Sequence, residues 1–338
     1  FSIVFDEPEF DESHWSGMLA QTYRTEHHPM KLRPQDFLEG LPAALAAMDH
    51  PSGDGLNSYV VSQATKQAGF TVALSGLGGD ELFAGYPVFE RYARLKGMKG
   101  FYGLPQGLRA LGGTLAGQVY RNHKTARLQE LMQLEDNRFA ALYPVFRKIF
   151  PDTAIARLLG EVSPAQALME TLFSPEEQAR ADQLPAFSQV TLGEIHTYTQ
   201  NVLLRDTDQM SMAHALEVRV PFFDHTLVEY ALGIPDTHKT PTYPKKLLVD
   251  AMGDLLPHEL VHRPKMGFVF PWDTWMRGEL RDFCAQNMAR LNQRGVFQAG
   301  EIDRLWTRYL ARDKTVTWMQ VWMLVVLENW MSQVGIDG

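Results

Sequence analysis

The sequence predicts an α/β protein in which a small parallel sheet is followed by a larger helical part. Over the first 95 residues, short apolar strands alternate with helical segments, a pattern typical of a mainly parallel sheet. From about residue 96 the strand pattern fades, and apolar residues recur at the three- and four-residue spacing of helices. A glycine-rich loop follows the last strand of the first part, at the position where parallel sheets bind ligands.

The composition is that of a globular protein and argues against a nucleic-acid-binding surface. Of the 338 residues, 45% are hydrophobic and 21% are charged, and the formal net charge is −8. Surfaces that bind nucleic acid are normally basic, so we expect none here. The single cysteine, Cys284, excludes an internal disulfide and most zinc sites. Because no apolar run reaches about 18 residues, we expect no membrane span and a cytoplasmic protein.

The first four elements are predicted to be a strand, a helix, an extended segment and a second helix. Residues 1–5 read FSIVF, an apolar strand, and DESHWSGMLAQTYR continues with a helical pattern. HHPMKL predicts a short extended segment, and RPQDFLEGLPAALAAMD predicts the second helix. Pro34 lies near the first turn of that helix, where a backbone N–H would have no partner in any case.

A loop, a third helix and a buried strand complete the first part. HPSGDGLN predicts the loop, and NSYVVSQATKQAG predicts a helix that Gly69 ends. FTVALS, residues 70–75, predicts a buried strand. Further helices are predicted at RNHKTARLQELMQL, SQVTLGEIHTYTQNVLLRDTDQMSMAHAL, FDHTLVEYAL, PKKLLVDAMGDLLP and over the final thirty residues. In the last of these, WMQVWMLVVLENWM suits a helix that faces the core.

The loop after the buried strand, SGLGGDE (75–81), contains three glycines and two carboxylates. Glycines let the backbone pass close to a ligand and leave its amides free to point at that ligand. Asp80 and Glu81 stand where a helix is predicted to begin, and carboxylates there commonly cap the helix. We expect that role for Glu81. Three glycines with Asp80 favour a nucleotide site in which Asp80 binds Mg²⁺, although the loop alone leaves both interpretations open.

Two other clusters of charged residues stand out later in the chain. Residues 203–231 hold a cluster of charged side chains in an apolar frame, for which internal ion pairs are the expected role: Arg205, Asp206, Asp208, Glu217, Arg219 and Asp224. HRPKMGFVFPW (262–272) places Lys265 in a loop beside aromatic residues. That lysine is either solvated or held over a phosphate or a developing oxyanion.

Together these clusters resemble the synthetase domain of glutamine-hydrolysing asparagine synthetases. The motifs are FSIVF, TEHH, SGLGGDELFAGY, SMAHALEVRVPFFD and RPKMGF, and they cover nearly the whole chain. The resemblance implies the ATP-pyrophosphatase fold and an ATP-dependent ligase that activates a carboxylate as an acyl-adenylate. Ammonia from a glutaminase domain then displaces AMP. The resemblance further implies ATP and Mg²⁺ as cofactors. It is compatible with a homodimer, and we expect neither nucleic acid nor a membrane as a partner.

The same resemblance assigns roles to residues of the nucleotide site. Ile3 would lie beside the adenine, and Ser75, Gly76 and Gly78 would contact the nucleotide through hydroxyl and backbone groups. Asp80 would bind the Mg²⁺ that accompanies the pyrophosphate. Residues 1–95 would form the nucleotide-binding part, and residues 96–338 would form the helical part that completes the active site.

The catalytic residues that the resemblance implies are Lys265 and Tyr86. Lys265 would stabilise charge on the adenylate and on the transition state that precedes it, and Tyr86 would border the active site. The family positions that correspond to Glu217, Arg219 and Asp224 are interpreted as structural.

The chain departs from the family pattern in two ways. The family's phosphate loop and glutaminase domain are absent from this sequence, so we expect a fragment of a longer enzyme that is inactive alone. In addition, Leu77 stands where asparagine synthetases carry a glutamate, and Asn201 is the nearest match to the acidic partner of that glutamate. Leucine cannot accept a proton, so we expect an acyl substrate other than free aspartate. A β-lactam-synthetase-like activity and a non-catalytic scaffold relative remain as alternatives.

Overall fold

Two units share the chain in the structure, a computed structural model that describes residues 1–5, 11–119, 122–160, 165–240, 242–263 and 270–336. The strand unit comprises Phe1–Gly85 and Thr197–Asp282, and the helical unit comprises Tyr86–His196 and Phe283–Gly338. The sequence resemblance divides the chain into a nucleotide-binding part, residues 1–95, and a helical part, residues 96–338. That division rests on nucleotide binding, and it stays a prediction.

The strand unit begins with the predicted alternation of strands and helices. Its first elements are β1 (Ser2–Val4), α1 (Ser13–Tyr23), β2 (Pro29–Lys31), α2 (Pro34–Ala46), α3 (Gly55–Gln67), β3 (Val72–Leu74) and α4 (Gly79–Leu82). Pro34 is the first residue of α2, as predicted. Gly69 ends the α3 segment in the left-handed region, with φ +93°, and its N–H donates to the Lys66 carbonyl at 2.9 Å.

Short helices dominate the middle of the chain. They are α5 (Pro87–Lys96), α6 (Lys99–Tyr102), α7 (Gln106–Val119), α8 (His123–Gln133), α9 (Phe139–Leu142), α10 (Pro144–Arg147), α11 (Asp152–Leu159), α12 (Ala165–Leu172), α13 (Pro175–Gln183) and α14 (Ala186–Glu194). Two of them, α8 and α13, follow residues whose side chains cap the first turn, Asn122 and Ser174. Ser174 and Glu177, for example, form a reciprocal capping box at the start of α13.

A π-helix, Ile195–Leu203, joins α14 to α15 (Leu204–Met212). The remaining elements of the strand unit are β4 (Glu217–Arg219), a 3₁₀ turn (Pro221–Phe223), α16 (His225–Gly233), α17 (Asp236–Lys239), α18 (Lys246–Met252), a second 3₁₀ turn (Gly253–Leu255), α19 (His258–Val261) and α20 (Trp272–Arg277). The chain ends with α21 (Arg281–Gln293), α22 (Glu301–Leu310) and α23 (Trp318–Gln333).

The described strands pair in parallel, as predicted, but in two separate pairs. β1 pairs with β2, with Ile3 opposite Met30, and β3 pairs with β4, with Ala73 opposite Val218. Within the described residues no strand joins the two pairs into one sheet. The Phe1 ring lies 5.1 Å from the Phe70 ring, centroid to centroid, so the starts of β1 and β3 are close. The fold is therefore mainly helical α/β with small parallel sheets.

The prediction that FTVALS forms a buried strand is wrong in its burial. β3 forms within this segment, but Val72 is 41% exposed and Leu74 is 75% exposed. In the described part of the chain, β3 has a strand neighbour on only one edge, β4, and Val72 and Leu74 point to the same face of the strand, which the described residues leave uncovered. A continuous apolar run predicts burial only where the sheet is covered on both faces.

Each unit has its own apolar core. In the strand unit, Phe37 packs against the rings of Phe270, Trp272 and Trp275 at centroid distances of 5.0–5.4 Å. In the helical unit, α23 buries Val321, Trp322 and Val325 completely. This confirms the expected core-facing role of WMQVWMLVVLENWM. Over the residues that the structure describes, every helix is too short or too polar to cross a bilayer.

Candidate functional site

The glycine-rich loop begins where β3 ends. The Ser75 N–H donates to the Arg219 carbonyl at 2.8 Å, which extends the β3–β4 ladder by one residue. The Ser75 hydroxyl then turns back and accepts a hydrogen bond from the Leu77 N–H at 3.4 Å. Strand pairing thus fixes the first residue of the loop, and the residues that follow leave the sheet.

Two glycines of this region are required by close packing. Gly78 has φ +98°, and a Cβ built on it would lie 2.8 Å from the Phe222 Cβ. A Cβ on Gly85 would lie 1.8 Å from Asp80 Oδ1, so the missing side chain makes room for this carboxylate. Glycine is needed at both positions to hold the loop and Asp80 in place.

Gly76 has no such packing reason. A Cβ built on it would meet nothing within 4 Å, and the residue is exposed. Its backbone therefore faces open space, where a ligand could approach closely. Packing alone therefore does not explain why residue 76 is a glycine.

The two carboxylates of the loop have different surroundings. Glu81 is buried, with 1% of its surface exposed, and its Oε2 accepts a hydrogen bond from the Gly78 N–H at 3.1 Å. This confirms the predicted capping role of Glu81. The Asp80 side chain is 24% exposed and lies 3.6 Å from Lys245 Nζ. Asp80 is therefore the carboxylate that solvent and a ligand can reach.

Lys245 is a residue that the sequence analysis missed. It immediately precedes α18 in a left-handed conformation, with φ +60°, and its Cδ lies 4.0 Å from the Cβ position of Gly79. The lysine thus packs over the glycine loop as well as pairing with Asp80. Nothing in PKKLLVD distinguishes it from Lys246, which forms an ion pair with Asp250 one turn along α18.

The described residues fit Mg²⁺ with a single protein carboxylate. No group of three or more His, Cys, Asp or Glu side chains within them could form a metal cage. Mg²⁺ commonly uses one or two carboxylates and completes its shell with phosphate oxygens and water. Asp80, held by the cradle at Gly85, suits such a site, and the adjacent Lys245 adds a positive charge that suits a phosphate.

The other predicted site residues belong to other elements or fall outside the described residues. Ile3 is half-buried in β1. Tyr86 precedes α5 in the helical unit, where the Arg147 guanidinium lies 5.1 Å from its ring centroid. Lys265 falls in 264–269, outside the described residues. The structure thus brings together Ser75, Gly76, Gly78 and Asp80.

Asp206 is the buried member of the charged cluster at 203–231. It is 2% exposed and accepts hydrogen bonds from the Ser52 hydroxyl and from Gln209 Nε2, the latter at 3.2 Å. His50 Nε2 lies 3.3 Å from its Oδ1. Burial raises the pKa of the Asp206 carboxyl to about 6, against which the Ser52 hydrogen bond and His50 act. Asp206 thereby ties the loop before α3 to α15.

The expectation of buried ion pairs fails for other members of that cluster. Glu217 and Arg219 pair at 2.8 Å, but their side chains are 57% and 63% exposed on β4. Asp224 instead accepts a hydrogen bond from the Thr226 N–H at 2.9 Å and caps α16. The expectation assumed that these residues lie on a buried helix. They lie instead on a short strand and at the end of a helix, where their side chains are exposed.

The two positions at which the sequence resemblance implies an acid–base pair carry side chains that cannot exchange protons. Leu77 is half-buried in the glycine loop. Asn201 is exposed in the π-helix, and its Nδ2 donates to the Thr197 carbonyl at 3.0 Å. Neither a leucine nor an amide can act as a general base.

These observations define a mainly helical α/β protein whose parallel strands carry a loop suited to an anionic ligand. The chain belongs to the asparagine synthase family, because the family model for asparagine synthase matches residues 1–332. This confirms the resemblance drawn from the sequence motifs.

Curated relatives agree with this assignment. Glutamine-hydrolysing asparagine synthetase 1 of Bacillus subtilis is 27% identical over 340 residues, which cover 98% of this chain and 51% of the relative. A putative glutamine-hydrolysing asparagine synthetase of Mycobacterium tuberculosis is 26% identical over 320 residues, covering 89% of this chain and 45% of the relative. The chain thus spans about half the length of the curated relatives it matches.

Proposed function

We propose that this chain is the synthetase part of an ATP-dependent carbon–nitrogen ligase with the ATP-pyrophosphatase fold. The observation that carries the proposal is the family match over residues 1–332. The exposed, unpacked backbone at Gly76 and the cradled carboxylate of Asp80 supply what a nucleotide with its metal ion would need.

The nucleotide is proposed to lie over the loop at the end of β3. Ser75, Gly76 and Gly78 offer a hydroxyl and backbone groups to it, and Ile3 flanks the adenine. Mg²⁺, when bound, would neutralise pyrophosphate charge and use Asp80 as its protein ligand. We add Lys245 to this site, because its ammonium lies 3.6 Å from Asp80 Oδ2 and can contact the same phosphates.

The chemistry is proposed to proceed in two steps. A carboxylate oxygen of the substrate attacks the α-phosphorus of ATP, and pyrophosphate leaves to give an acyl-adenylate. Ammonia from a glutaminase domain attacks the acyl carbon, AMP leaves, and the amide forms with loss of a proton. Lys265 would stabilise the charge that develops in the first step, and Tyr86 would border the reacting groups.

The acyl substrate is proposed to differ from free aspartate. With Leu77 in place of a carboxylate, the ammonium group of aspartate would lose a partner, and burial of an unpaired charge is costly. An apolar side chain at this position favours an uncharged or bulkier acceptor. The second candidate activity, ring closure of the β-lactam-synthetase type, has no feature of the described residues in its favour.

A screen of carboxylic acids tests the proposal. The full-length protein is incubated with ATP, labelled pyrophosphate and one acid at a time, and acid-dependent exchange of label into ATP is measured. We expect exchange with at least one acid other than aspartate. Aspartate as the best substrate by a wide margin would contradict the interpretation of Leu77, and no exchange with any acid would favour a non-catalytic relative.

A further inference from the structure

The helical unit contains a cavity of about 370 Å³ that the proposed ligase chemistry does not use. Its walls come from α8, from the end of α10 and the segment that follows it, and from the start of α23 with the residues just before it. Arg127, Arg147 and Lys148 line it, and Glu130 is the one carboxylate among the lining residues. Positive charge therefore exceeds negative charge on the walls of this cavity.

Two of the three cations are already neutralised by carboxylates. Lys148 Nζ lies 2.9 Å from Glu130 and 3.0 Å from Asp152. Arg147 Nε donates to the buried carboxylate of Glu194 at 2.7 Å, and its Nη2 donates to the same group. Arg127 is the cation of the wall that, among the described residues, has no carboxylate within ion-pair distance.

Among the described residues, the Arg127 side chain makes one hydrogen bond, from Nη2 to the Lys148 carbonyl at 3.2 Å. Within the described part of the chain, no carboxylate lies within ion-pair distance of its guanidinium. The group is half-buried, and burial together with the nearby charge of Arg91 lowers its pKa, against the opposing effect of Glu130. A partly desolvated guanidinium with four N–H groups to spare can bind an oxyanion with two parallel hydrogen bonds.

The rest of the cavity wall suits an organic anion. His123 lies one turn before Arg127 on α8 and lines the same cavity, and residues four apart on a helix share a face. Phe146 and Trp318 supply apolar wall on the other sides. A small ligand could therefore place its anionic group at Arg127 and its carbon skeleton against these rings.

We propose that this cavity binds a small organic oxyanion, either a carboxylate or a phosphate ester, through the Arg127 guanidinium. The site lies wholly within the helical unit and does not depend on the ligase activity. Planar carboxylates and tetrahedral phosphates both match the fork of an arginine, so two probes are needed to tell these ligands apart.

Calorimetric titration of the full-length protein at low ionic strength tests the proposal, with succinate and inorganic phosphate as separate probes. We expect saturable binding of at least one probe, and Arg127→Gln should weaken it about tenfold or more because a charge-assisted, two-fold contact is lost. Lys124→Gln, which removes an exposed charge from the same helix, should leave the affinity unchanged. Arg127→Lys keeps the charge but not the fork and should give an intermediate affinity even if Arg127→Gln fails to fold.

A second variant separates this cavity from the nucleotide loop. Lys245→Gln should leave binding of the probe intact, since Lys245 belongs to the strand unit. Binding that is lost in Lys245→Gln but kept in Arg127→Gln would assign the probe to the nucleotide loop and overturn the proposal. So would the absence of saturable binding of both probes, or equal affinity in wild type, Arg127→Gln and Arg127→Lys.

Discussion

At the scale of single residues, the structure separates the side chains that build the glycine loop from those available for chemistry. Glu81 is buried as a cap, and Gly78 and Gly85 are fixed by packing. What remains accessible is the Gly76 backbone, the Asp80 carboxylate and the Lys245 ammonium. The proposed nucleotide chemistry rests on this small set.

Lys245→Ala should lower the rate of ATP–pyrophosphate exchange by about tenfold or more. The reason is that a hydrogen bond to a charged group typically contributes about 1.5–3 kcal/mol, and here the charge is proposed to contact a phosphate. The measurement is exchange in the full-length protein at several ATP concentrations. Lys246→Ala is the matched control, because Lys246 pairs with Asp250 instead. Equal losses in the two variants would remove Lys245 from the site.

Asp206 provides a prediction about stability and pH. Burial raises the pKa of its carboxyl from 3.8 to about 6, so the folded protein holds this proton more tightly than the unfolded chain. Its contribution is therefore fully present below the unfolded pKa and is lost as the pH rises through about 6. The whole difference in the free energy of unfolding amounts to about 3 kcal/mol, of which about 1.4 kcal/mol lies between pH 5 and 7.5.

Asp206→Asn removes this titration. Relative to wild type, the free energy of unfolding of the variant should rise by about 1.4 kcal/mol between pH 5 and 7.5, as measured by urea unfolding across that range. Asp208→Asn changes an exposed position on the same helix. The pH dependence of its free energy of unfolding should run parallel to that of wild type. If the Asp206→Asn and wild-type curves also run parallel, the buried carboxyl has an ordinary pKa.

At the scale of elements, burial decides which side chains can react. Cys284 lies on the inner face of α21 and is fully buried. Burial raises the pKa of its thiol to about 12, and the thiolate is the reactive form of cysteine. The element thus keeps the chain's only thiol inert.

Native protein should therefore react with a disulfide reagent such as dithionitrobenzoate at least about a thousandfold more slowly than the unfolded chain at pH 8. In the full-length protein, labelling of Cys284 is followed by peptide mass spectrometry, so that cysteines elsewhere do not interfere. The same sample in urea serves as the control. Stoichiometric labelling of native Cys284 within minutes would show that α21 opens readily or packs differently.

At the scale of the whole molecule, the sequence was a good guide to local order and a poor guide to contacts between distant segments. The 3.6-residue periodicity predicted helices such as α1, α3, α16 and α23, and the glycine loop was found from its composition. The prediction that β3 is buried was wrong, because the burial of a strand depends on the neighbouring elements of the fold rather than on its own apolar run. The π-helix at Ile195–Leu203 could not be predicted, because the apolar spacing of this segment is that of an ordinary α-helix.

The contacts that the sequence did not reveal share a physical cause. Lys245 meets Asp80 across 165 residues of chain, and Asp206 meets Ser52 across 154. Only the fold brings such pairs together, and a lysine or an aspartate in isolation is indistinguishable from a solvated one. Motif resemblance supplied the family and the expected nucleotide contacts, while packing alone separated the buried carboxylate of Glu81 from the partly exposed one of Asp80.

The measurement that tests the central claim most directly is acid-dependent ATP–pyrophosphate exchange by full-length wild type and Asp80→Asn, beside Asp282→Asn as an exposed control. We predict that Asp80→Asn lowers exchange by about 100-fold or more, since a metal contact at a developing charge contributes several kcal/mol. Glutamine hydrolysis by the same protein should be unchanged, and Asp282→Asn should match wild type in both assays. Near-normal exchange in Asp80→Asn would contradict the nucleotide site and leave Asp80 a structural residue of the glycine loop.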